Sequence, residues 1–218
     1  MTEQMERKDA MPNRTQEGEP AAPSLYRATA AAAHRLQREL LSADAHAVTR
    51  ARATLSRLRR AVAQEPGEDP RAWWEVSEHV LGDLHDREHG RGEAPSTSEW
   101  AAFVAITLFS MHQQSNTMPM HVTGTGVGAA VGQLRRRTDS ESIKPRLDAV
   151  MLATTPSGLR YHLRSLVGLL SAHGIGLDYG RLAEDLRRLR DPQRRRETVV
   201  RWGRDYASAL RSSTTPAD

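Results

Sequence analysis

The chain has 218 residues, of which 38% are hydrophobic and only 5% are aromatic. This length allows one large domain or two small ones with a buried core. No apolar run approaches the roughly 20 residues that a membrane helix needs, and the start of the chain lacks a signal-peptide core. Cysteine is absent, which excludes disulfides, thiol catalysis and cysteine-based zinc sites. We therefore expect a cytoplasmic protein that contacts no membrane, with Ala- and Leu-rich helices favoured over strands.

Charge is segregated along the chain, although the formal net charge is only +4. Seven Arg lie in residues 35–60 and nine lie in residues 181–204, whereas residues 65–99 contain ten acidic side chains. A basic protein with one acidic segment indicates a polyanionic partner, with the acidic segment facing away or meeting another protein. A compositional explanation is also open, because 29 of the 31 basic residues are Arg, as GC-rich coding would produce.

Both ends of the chain, residues 1–23 and 212–218, are polar and aperiodic and predict disordered tails. Between them, residues 24–211 predict a single all-α domain, with helical halves of 24–123 and 124–211 as the alternative. Start signals and apolar residues at helical spacing predict a helical bundle of about eight or nine helices. The segments marked in this way are, in chain order, 45–63, 70–84, 97–115, 127–137, 142–153, 156–173, 179–190 and 192–210.

The start signals are of the kinds that recur at helix N-termini. Asp69-Pro70 and Asp191-Pro192 each place a capping residue before a proline at the first helical position. Ser96 and Glu99 have the spacing of a capping box, in which each side chain binds the backbone N–H of the other residue. Residues 116–128, with one proline and three glycines, form the longest irregular stretch of the predicted domain.

One short motif invites a metal-binding interpretation. His85, Glu88 and His89 fit the HxxEH pattern of inverted zinc peptidases, in which two His bind zinc beside a catalytic Glu. The pattern lies at the end of a predicted helix, runs into the glycine-containing residues 90–92 and has no third ligand downstream. A solvated helix end is therefore the favoured interpretation, and we expect no metal and no other cofactor.

The glycines of residues 124–128 resemble a phosphate-binding loop only superficially. They lack the Gly-Lys-Ser/Thr of a Walker loop and follow no strand, although backbone N–H groups at the next helix start could still hold a phosphate. The polar residues beside this loop have no GxSxG-like pattern that would organise a triad, and no paired carboxylates indicate a two-metal nuclease. We therefore expect a protein without catalytic residues. The polar residues in question are His112, Gln113, Gln114, Ser115 and His121.

Basic groups are the strongest functional signal when they are taken as a set. Each group alone is more often a solvated face, and cations also suit the C-terminal end of a helix, where residues 135–137 lie. Aromatic residues are few and fall mostly at core positions, so we expect contacts to phosphate and sugar and no base-stacking platform. The candidate nucleic-acid-binding residues are Arg59, Arg60, Arg135, Arg136, Lys144, Arg146, Arg160, Arg164, Arg194, Arg195 and Arg196.

Three stretches of the C-terminal half carry a family resemblance. Residues 121–135 read HVTGTGVGAAVGQLR, residues 158–167 read GLRYHLRSLV, and residues 174–186 read GIGLDYGRLAEDL. In this order they resemble the small subunit of the type I-E CRISPR surveillance complex (Cascade), the CasB family. The N-terminal half matches more loosely, through residues 58–60 and 109–115, so the resemblance covers residues 25–210.

The resemblance implies an all-α protein with no catalytic activity of its own. It implies two copies, head to tail, against the backbone subunits that hold the CRISPR RNA and in one complex with the large subunit. Basic residues would position the target DNA strand and hold the displaced strand of the R-loop. The basic positions that match the family pattern are Arg59, Arg60, Arg164 and residues 194–196, with near matches at Arg135, Lys144 and Arg146.

The chain departs from the family pattern at residues 127–131, where the common slGRAL element carries an Arg that is missing here. A phosphate contact at that helix start is therefore not carried over. Two alternatives to nucleic-acid binding remain open on sequence grounds. One is a purely structural adaptor whose basic faces bind acidic protein partners, and the other is a metallopeptidase-like enzyme that uses His85, Glu88 and His89.

Overall fold

The computed structural model describes residues 24–211, and the predicted tails lie outside the described residues. Within this range the chain is all-α, with one isolated β-bridge between His121 and Leu177, which confirms the predicted helical bundle. Two short 3-10 turns, Leu81–Asp83 and Asp86–Glu88, lie between the third and fourth helices. The helices are α1 Leu25–Leu40, α2 Ala45–Arg60, α3 Pro70–His79, α4 Thr97–His112, α5 Val127–Thr138, α6 Ile143–Leu152, α7 Pro156–Ala172, α8 Tyr179–Leu189 and α9 Pro192–Arg211.

The predicted helix start signals form the expected capping hydrogen bonds. The Ser96 hydroxyl accepts a hydrogen bond from the Glu99 N–H at 3.0 Å, and the Glu99 carboxylate accepts one from the Ser96 N–H at 2.6 Å. The Asp69 carboxylate accepts from the Arg71 N–H at 2.9 Å, directly before the proline that opens α3. These contacts satisfy N–H groups that have no partner inside the helix.

Two features of the N-terminal half differ from the prediction. Helix α1 has no counterpart among the segments that the sequence marked, although it buries a stripe of small and aliphatic residues from Leu25 to Leu36. Helix α3 ends at His79 and does not continue to residue 84. The Val80 backbone has φ −126° and ψ −52°, outside the angles of a regular α-helix, and the chain continues in 3-10 turns.

Helix α4 lies at the centre of the fold. It is apolar on all sides, and 14 of its 16 residues are buried, which is typical of a helix surrounded by other helices. It packs against α1, α2, α7 and α8, and a single hydrophobic core extends from Leu25 to Tyr206. No helix within residues 24–211 has the length and hydropathy of a membrane span.

Helices α5 and α9 form the most extensive helix pair of the described residues, because two glycines let their backbones approach. A Cβ atom on Gly128 would lie 2.1 Å from the carbonyl oxygen of Trp202, and one on Gly132 would lie 2.8 Å from that of Tyr206. Helix α8 then joins α9 to the N-terminal half, because α8 also packs on α1 and α4. The Trp202 indole donates to the buried Asp185 carboxylate of α8 at 2.6 Å.

The glycine contact between α5 and α9 predicts a specific stability change. We expect Gly128→Ala to lower the free energy of unfolding by about 1–3 kcal/mol, because the new methyl group overlaps a backbone carbonyl. Gly203→Ala, in α9 itself, is the matched control, since a Cβ there meets nothing within 4 Å. That control should be neutral or stabilising by up to about 1 kcal/mol. Urea unfolding followed by circular dichroism measures both, and equal midpoints for the two variants would contradict the packing.

Candidate nucleic-acid interface

The candidate basic residues lie in three places on the fold. The end of α2, the first turns of α7 and the adjacent α6 lie on one side of the protein. A cleft of about 400 Å³ is lined there by Ala63, from the turn after α2, and by Arg164 of α7. A second cleft, of about 380 Å³, is lined by Arg146 of α6 and Ser165 of α7. The other two places are the two ends of α9.

Arg59 and Arg60 end α2 but have different surroundings. Arg60 is exposed, and its guanidinium donates to the Ser56 hydroxyl at 3.4 Å. Arg59 is half-buried and, with Arg52, lines a groove of about 540 Å³ between α2 and the ends of α1 and α4. No acidic side chain lines this groove within the described residues. In the same turn, Arg57 forms an ion pair with the buried Glu75, so its charge is compensated within the protein.

The first half of α7 and the facing side of α6 form a surface that we call the α7 face, defined by Arg146, Tyr161 and Arg164. Arg164 is exposed and forms no ion pair in the part of the chain that the structure describes. Arg146 is exposed, and its guanidinium donates only to the Ser165 hydroxyl, at 3.2 Å. Tyr161 is 70% exposed. The nearby Lys144 ammonium is paired with Asp148 at 2.7 Å, which leaves two uncompensated cations on this face.

Arg160 occupies a different environment, although it lies one turn from Arg164. It is only 8% exposed, and its guanidinium lies 2.8 Å from the Glu65 carboxylate and donates to the Gln64 carbonyl oxygen at 2.9 Å. Glu65 is held in place in turn by the Trp100 indole at 3.1 Å. Arg160 therefore joins α7 to the segment that follows α2, and a nucleic-acid contact by this residue stays a prediction.

The basic residues near α9 are at its opposite ends. The Arg136 guanidinium donates to the Ala209 carbonyl oxygen at 2.6 Å, and Arg135 pairs with Glu141. The Arg195 guanidinium donates to the carbonyl oxygens of Met151 and Ala153, both at 2.7 Å, and so closes the end of α6. At 1.5 Å per residue these two ends lie about 20 Å apart along α9. The two flanking residues of the second group are Arg194, 3.5 Å from Asp191, and the exposed Arg196.

Several acidic side chains of residues 65–99 form ion pairs with Arg residues of the protein itself. The Glu88 carboxylate lies 3.0 Å from the Arg187 guanidinium of α8, and Glu75 binds Arg57. Together with the pair of Glu65 and Arg160, these contacts join the acidic segment to both halves of the fold. The acidic residues that stay exposed are Glu68, Glu78, Asp83, Asp86 and Glu93.

The HxxEH motif has no geometry that could bind a metal. The Glu88 carboxylate forms an ion pair with Arg187 and accepts a hydrogen bond from the Ser98 hydroxyl. The His89 imidazole lies 3.4 Å from the Glu99 carboxylate. His85 accepts a hydrogen bond from the Arg87 N–H at 3.2 Å. Across residues 24–211, no group of three His, Cys, Asp or Glu side chains is placed to hold a metal ion.

The loop before α5 is held by protein side chains, which leaves no free phosphate cradle at Gly124. The Gly124 N–H donates to the Asp178 carboxylate at 2.8 Å. The Gln37 amide exchanges two hydrogen bonds with the His121 backbone, at 2.9 and 3.1 Å, and Gln113 accepts from the Met120 N–H at 3.0 Å. Of the polar cluster that the sequence placed beside this loop, Gln113 holds the loop in position, together with Gln37 and Asp178.

His112 is the most deeply buried member of this cluster. Its Nδ1 atom lies 2.7 Å from the Tyr179 hydroxyl, and no side-chain exposure remains. Burial lowers the pKa of the His112 imidazole to about 4. Burial also lowers the pKa of His121, against the opposing effect of the nearby Asp178 carboxylate. Both imidazoles are therefore neutral in the folded protein at physiological pH.

The lowered pKa of His112 predicts that acid destabilises the fold. The unfolded chain binds a proton near pH 6.5, whereas the folded chain binds it only near pH 4. The stabilising contribution is complete above pH 6.5 and is lost as the pH falls to 4, by about 3 kcal/mol. Urea unfolding at several pH values should show a weaker pH dependence in this window for His112→Gln than for wild type. An unchanged profile for His112→Gln would contradict the assignment.

Arg160 and Arg164 offer a second test, since they are one turn apart on α7. We expect Arg160→Ala to lower the free energy of unfolding by about 1–3 kcal/mol, because it leaves the Gln64 carbonyl and Glu65 carboxylate without their partner. Arg164→Ala should change it by less than about 0.5 kcal/mol, because the side chain is exposed. Urea unfolding of both variants measures the difference. Equal losses would show that the buried contact contributes nothing to stability.

These observations first define a class: an all-α protein that carries exposed Arg side chains without a carboxylate partner in the described residues, and in which many other polar groups hold the fold. The family model described as CRISPR-associated protein Cse2 matches residues 54–206. The chain therefore belongs to the Cse2 family, which confirms the resemblance seen in the sequence. No curated protein sequence matches the chain.

Solved structures agree with this membership. CasB from Thermobifida fusca is 28% identical, with a TM-score of 0.68 over 84% of this chain and 97% of that one. CasB from Thermus thermophilus is 24% identical, with a TM-score of 0.62 over 86% of this chain and 100% of that one. A chain described as part of a CRISPR RNA-guided surveillance complex is 20% identical, with a TM-score of 0.61 over 87% and 97%. The latter two show a shared fold.

Proposed function

We propose that this chain is a non-catalytic small subunit of a type I-E CRISPR RNA-guided surveillance complex. In this role it binds nucleic-acid backbone and stabilises the R-loop, through contacts to the target strand and the displaced strand. Its protein partners are the backbone subunits that hold the CRISPR RNA, the large subunit and a second copy of itself. Family membership and the fold shared with a chain of a surveillance complex support the assignment.

The observation that carries the proposal is the set of basic side chains whose charge is not compensated within the protein. Arg60, Arg146 and Arg164 are exposed and pair with no carboxylate of the described chain. Arg59 lines a groove without acidic residues. Phosphate oxygens satisfy such guanidinium groups, and contacts to phosphate carry no sequence information. That property suits a subunit that must accept any target sequence.

Modest contacts are sufficient for this role. R-loop formation exchanges a DNA duplex for an RNA–DNA duplex of similar stability, so protein contacts to the backbone can decide the balance. Each net Arg–phosphate hydrogen bond contributes about 1–2 kcal/mol. Each contact also releases counterions, so its contribution falls as the salt concentration rises. Four such residues therefore shift the equilibrium by several factors of ten at low salt.

Arg residues that hydrogen-bond to other groups of the protein have a structural role in this proposal. Arg160, Arg195 and Arg136 donate to carbonyl oxygens or carboxylates of the protein itself. They hold the helices that carry the basic surface in position, and we expect the exposed residues to make the direct phosphate contacts. Arg196, exposed at the start of α9, belongs with the exposed group.

The proposal predicts a shorter R-loop lifetime when the exposed cations are removed. We expect the triple variant Arg59→Ala, Arg60→Ala, Arg164→Ala to shorten the lifetime in the assembled complex by at least about tenfold. The salt dependence of binding should weaken by a slope of about two to three, because about 0.7–0.9 counterions are released per phosphate contact. The measurement is R-loop dissociation from labelled target DNA at several salt concentrations.

A matched control removes the same charge from the acidic segment. The variant Arg71→Ala, Arg87→Ala, Arg91→Ala changes three exposed cations that lie among acidic residues. It should leave the lifetime and the salt slope unchanged. If the first triple variant fails to assemble with the partner subunits while the control variant assembles and behaves like wild type, the basic faces bind acidic protein surfaces. That result would favour the structural-adaptor alternative over nucleic-acid binding.

A further inference from the structure

Tyr161 is the most exposed tyrosine of the described chain. It is 70% exposed, whereas Tyr179 and Tyr206 are buried in the core and Tyr26 is half-buried against α8. A single exposed aromatic residue needs no special explanation. Its surroundings are unusual, however, because the ring lies between two clefts that each carry one of the uncompensated Arg residues of the α7 face.

The first cleft lies between α7 and the turn after α2. Tyr161 and Arg164 line it together with Ala63, Ser157 and Gly158. The remaining lining residues, Val62 and Arg160, belong to the hydrophobic core and to the ion pair with Glu65. Small side chains make this cleft shallow and open beside the tyrosine ring.

The second cleft lies on the other side of the ring, between α6 and α7. Tyr161 and Arg146 line it together with Pro145, Ala149 and Ser165. The neighbouring His162 imidazole meets the Tyr161 ring edge to face, with ring centroids 5.3 Å apart. Among the described residues, neither cleft has an acidic side chain in its lining.

An exposed aromatic ring that lines two clefts, each with an uncompensated cation, offers a face for a base and positive charges for the neighbouring phosphates of a single strand. We propose that Tyr161 is a stacking platform for an unpaired base of single-stranded nucleic acid, with Arg146 and Arg164 binding the phosphates on either side. This inference rests on the proposed function and adds a base contact to it. Every base has a π-face, so stacking does not select a sequence.

Single-stranded nucleic acid is favoured over a duplex because paired bases are stacked on each other and present no free face. The sequence predicted that base-stacking platforms are absent, since the aromatic residues fall at core spacing. Tyr161 is the exception, because it lies on α7 beside the buried stripe that contains Leu159 and Leu163. The α7 face therefore binds both parts of a nucleotide strand, and duplex DNA uses only its two Arg residues.

Two 20-nucleotide probes separate base stacking from phosphate binding: oligo(dT) and an abasic strand of equal length. With the full-length protein and fluorescence anisotropy, we expect Tyr161→Ala to weaken oligo(dT) binding about tenfold, typical of one lost stacking contact. Binding of the abasic strand and the salt slope should not change. Tyr161→Phe should retain wild-type affinity, since the ring is preserved.

Two control variants complete the experiment. Trp74→Ala removes an aromatic residue that is also 70% exposed but lies beside Glu75 and Glu78, and it should change neither affinity. The double variant Arg146→Ala, Arg164→Ala should weaken the binding of both strands and lower the salt slope by about 1.4, at 0.7 per phosphate of a single strand.

The outcomes separate this inference from the proposed function. If Tyr161→Ala leaves oligo(dT) binding unchanged, or weakens both strands equally, the stacking role is overturned while phosphate binding by Arg stands. If that variant binds both strands normally but fails to enter the assembled complex, the ring contacts a protein partner, which also overturns the inference. If the wild-type chain binds neither strand, phosphate binding and stacking fail together.

Discussion

Helix α4 is apolar on every side, and a helix of this kind in water must be covered by others over its whole circumference. Helices α1, α2, α7 and α8 supply that cover. Helices α2 and α7 pack against the same central helix, and the turn after α2 lies beside the first turns of α7. Ala63 and Arg164 thereby line one cleft, although they are far apart in the sequence. The basic surface thus depends on the burial of α4.

The Arg residues of this chain divide into two groups by their environment. One group satisfies carbonyl oxygens and carboxylates of the fold, as Arg160 does with Gln64 and Arg187 with Glu88, across separations of 96 and 99 residues. The other group, which includes Arg60, Arg146 and Arg164, pairs with no carboxylate of the described residues and keeps its charge uncompensated there. This division resolves the ambiguity of an Arg-rich composition. Coding bias can supply the Arg residues, but their surroundings decide which of them can contact a phosphate.

Much of the fold could be predicted because the signals are local. A cap such as Ser96 with Glu99 acts within a single helical turn, so its spacing in the sequence is its spacing in space. The end of α3 could not be predicted in the same way, since Val76, Val80 and Leu84 keep helical spacing in the sequence although the Val80 backbone leaves helical angles. Of the candidate site, the sequence identified the basic residues as a set and missed Tyr161. The exposure of its ring depends on how α6 and the turn after α2 pack beside α7.

The sequence by itself determined the all-α class, the positions of most helix starts, the absence of thiol chemistry and the family. These follow from composition, from local caps and from motifs in a fixed order. Only the tertiary structure decided that Arg160 is buried while Arg164 is exposed, that the residues of the HxxEH motif bind other side chains, and that Tyr161 lines two clefts with uncompensated cations. The physical reason is that solvation and charge compensation depend on neighbours in space, which the packing around α4 brings together from distant parts of the chain.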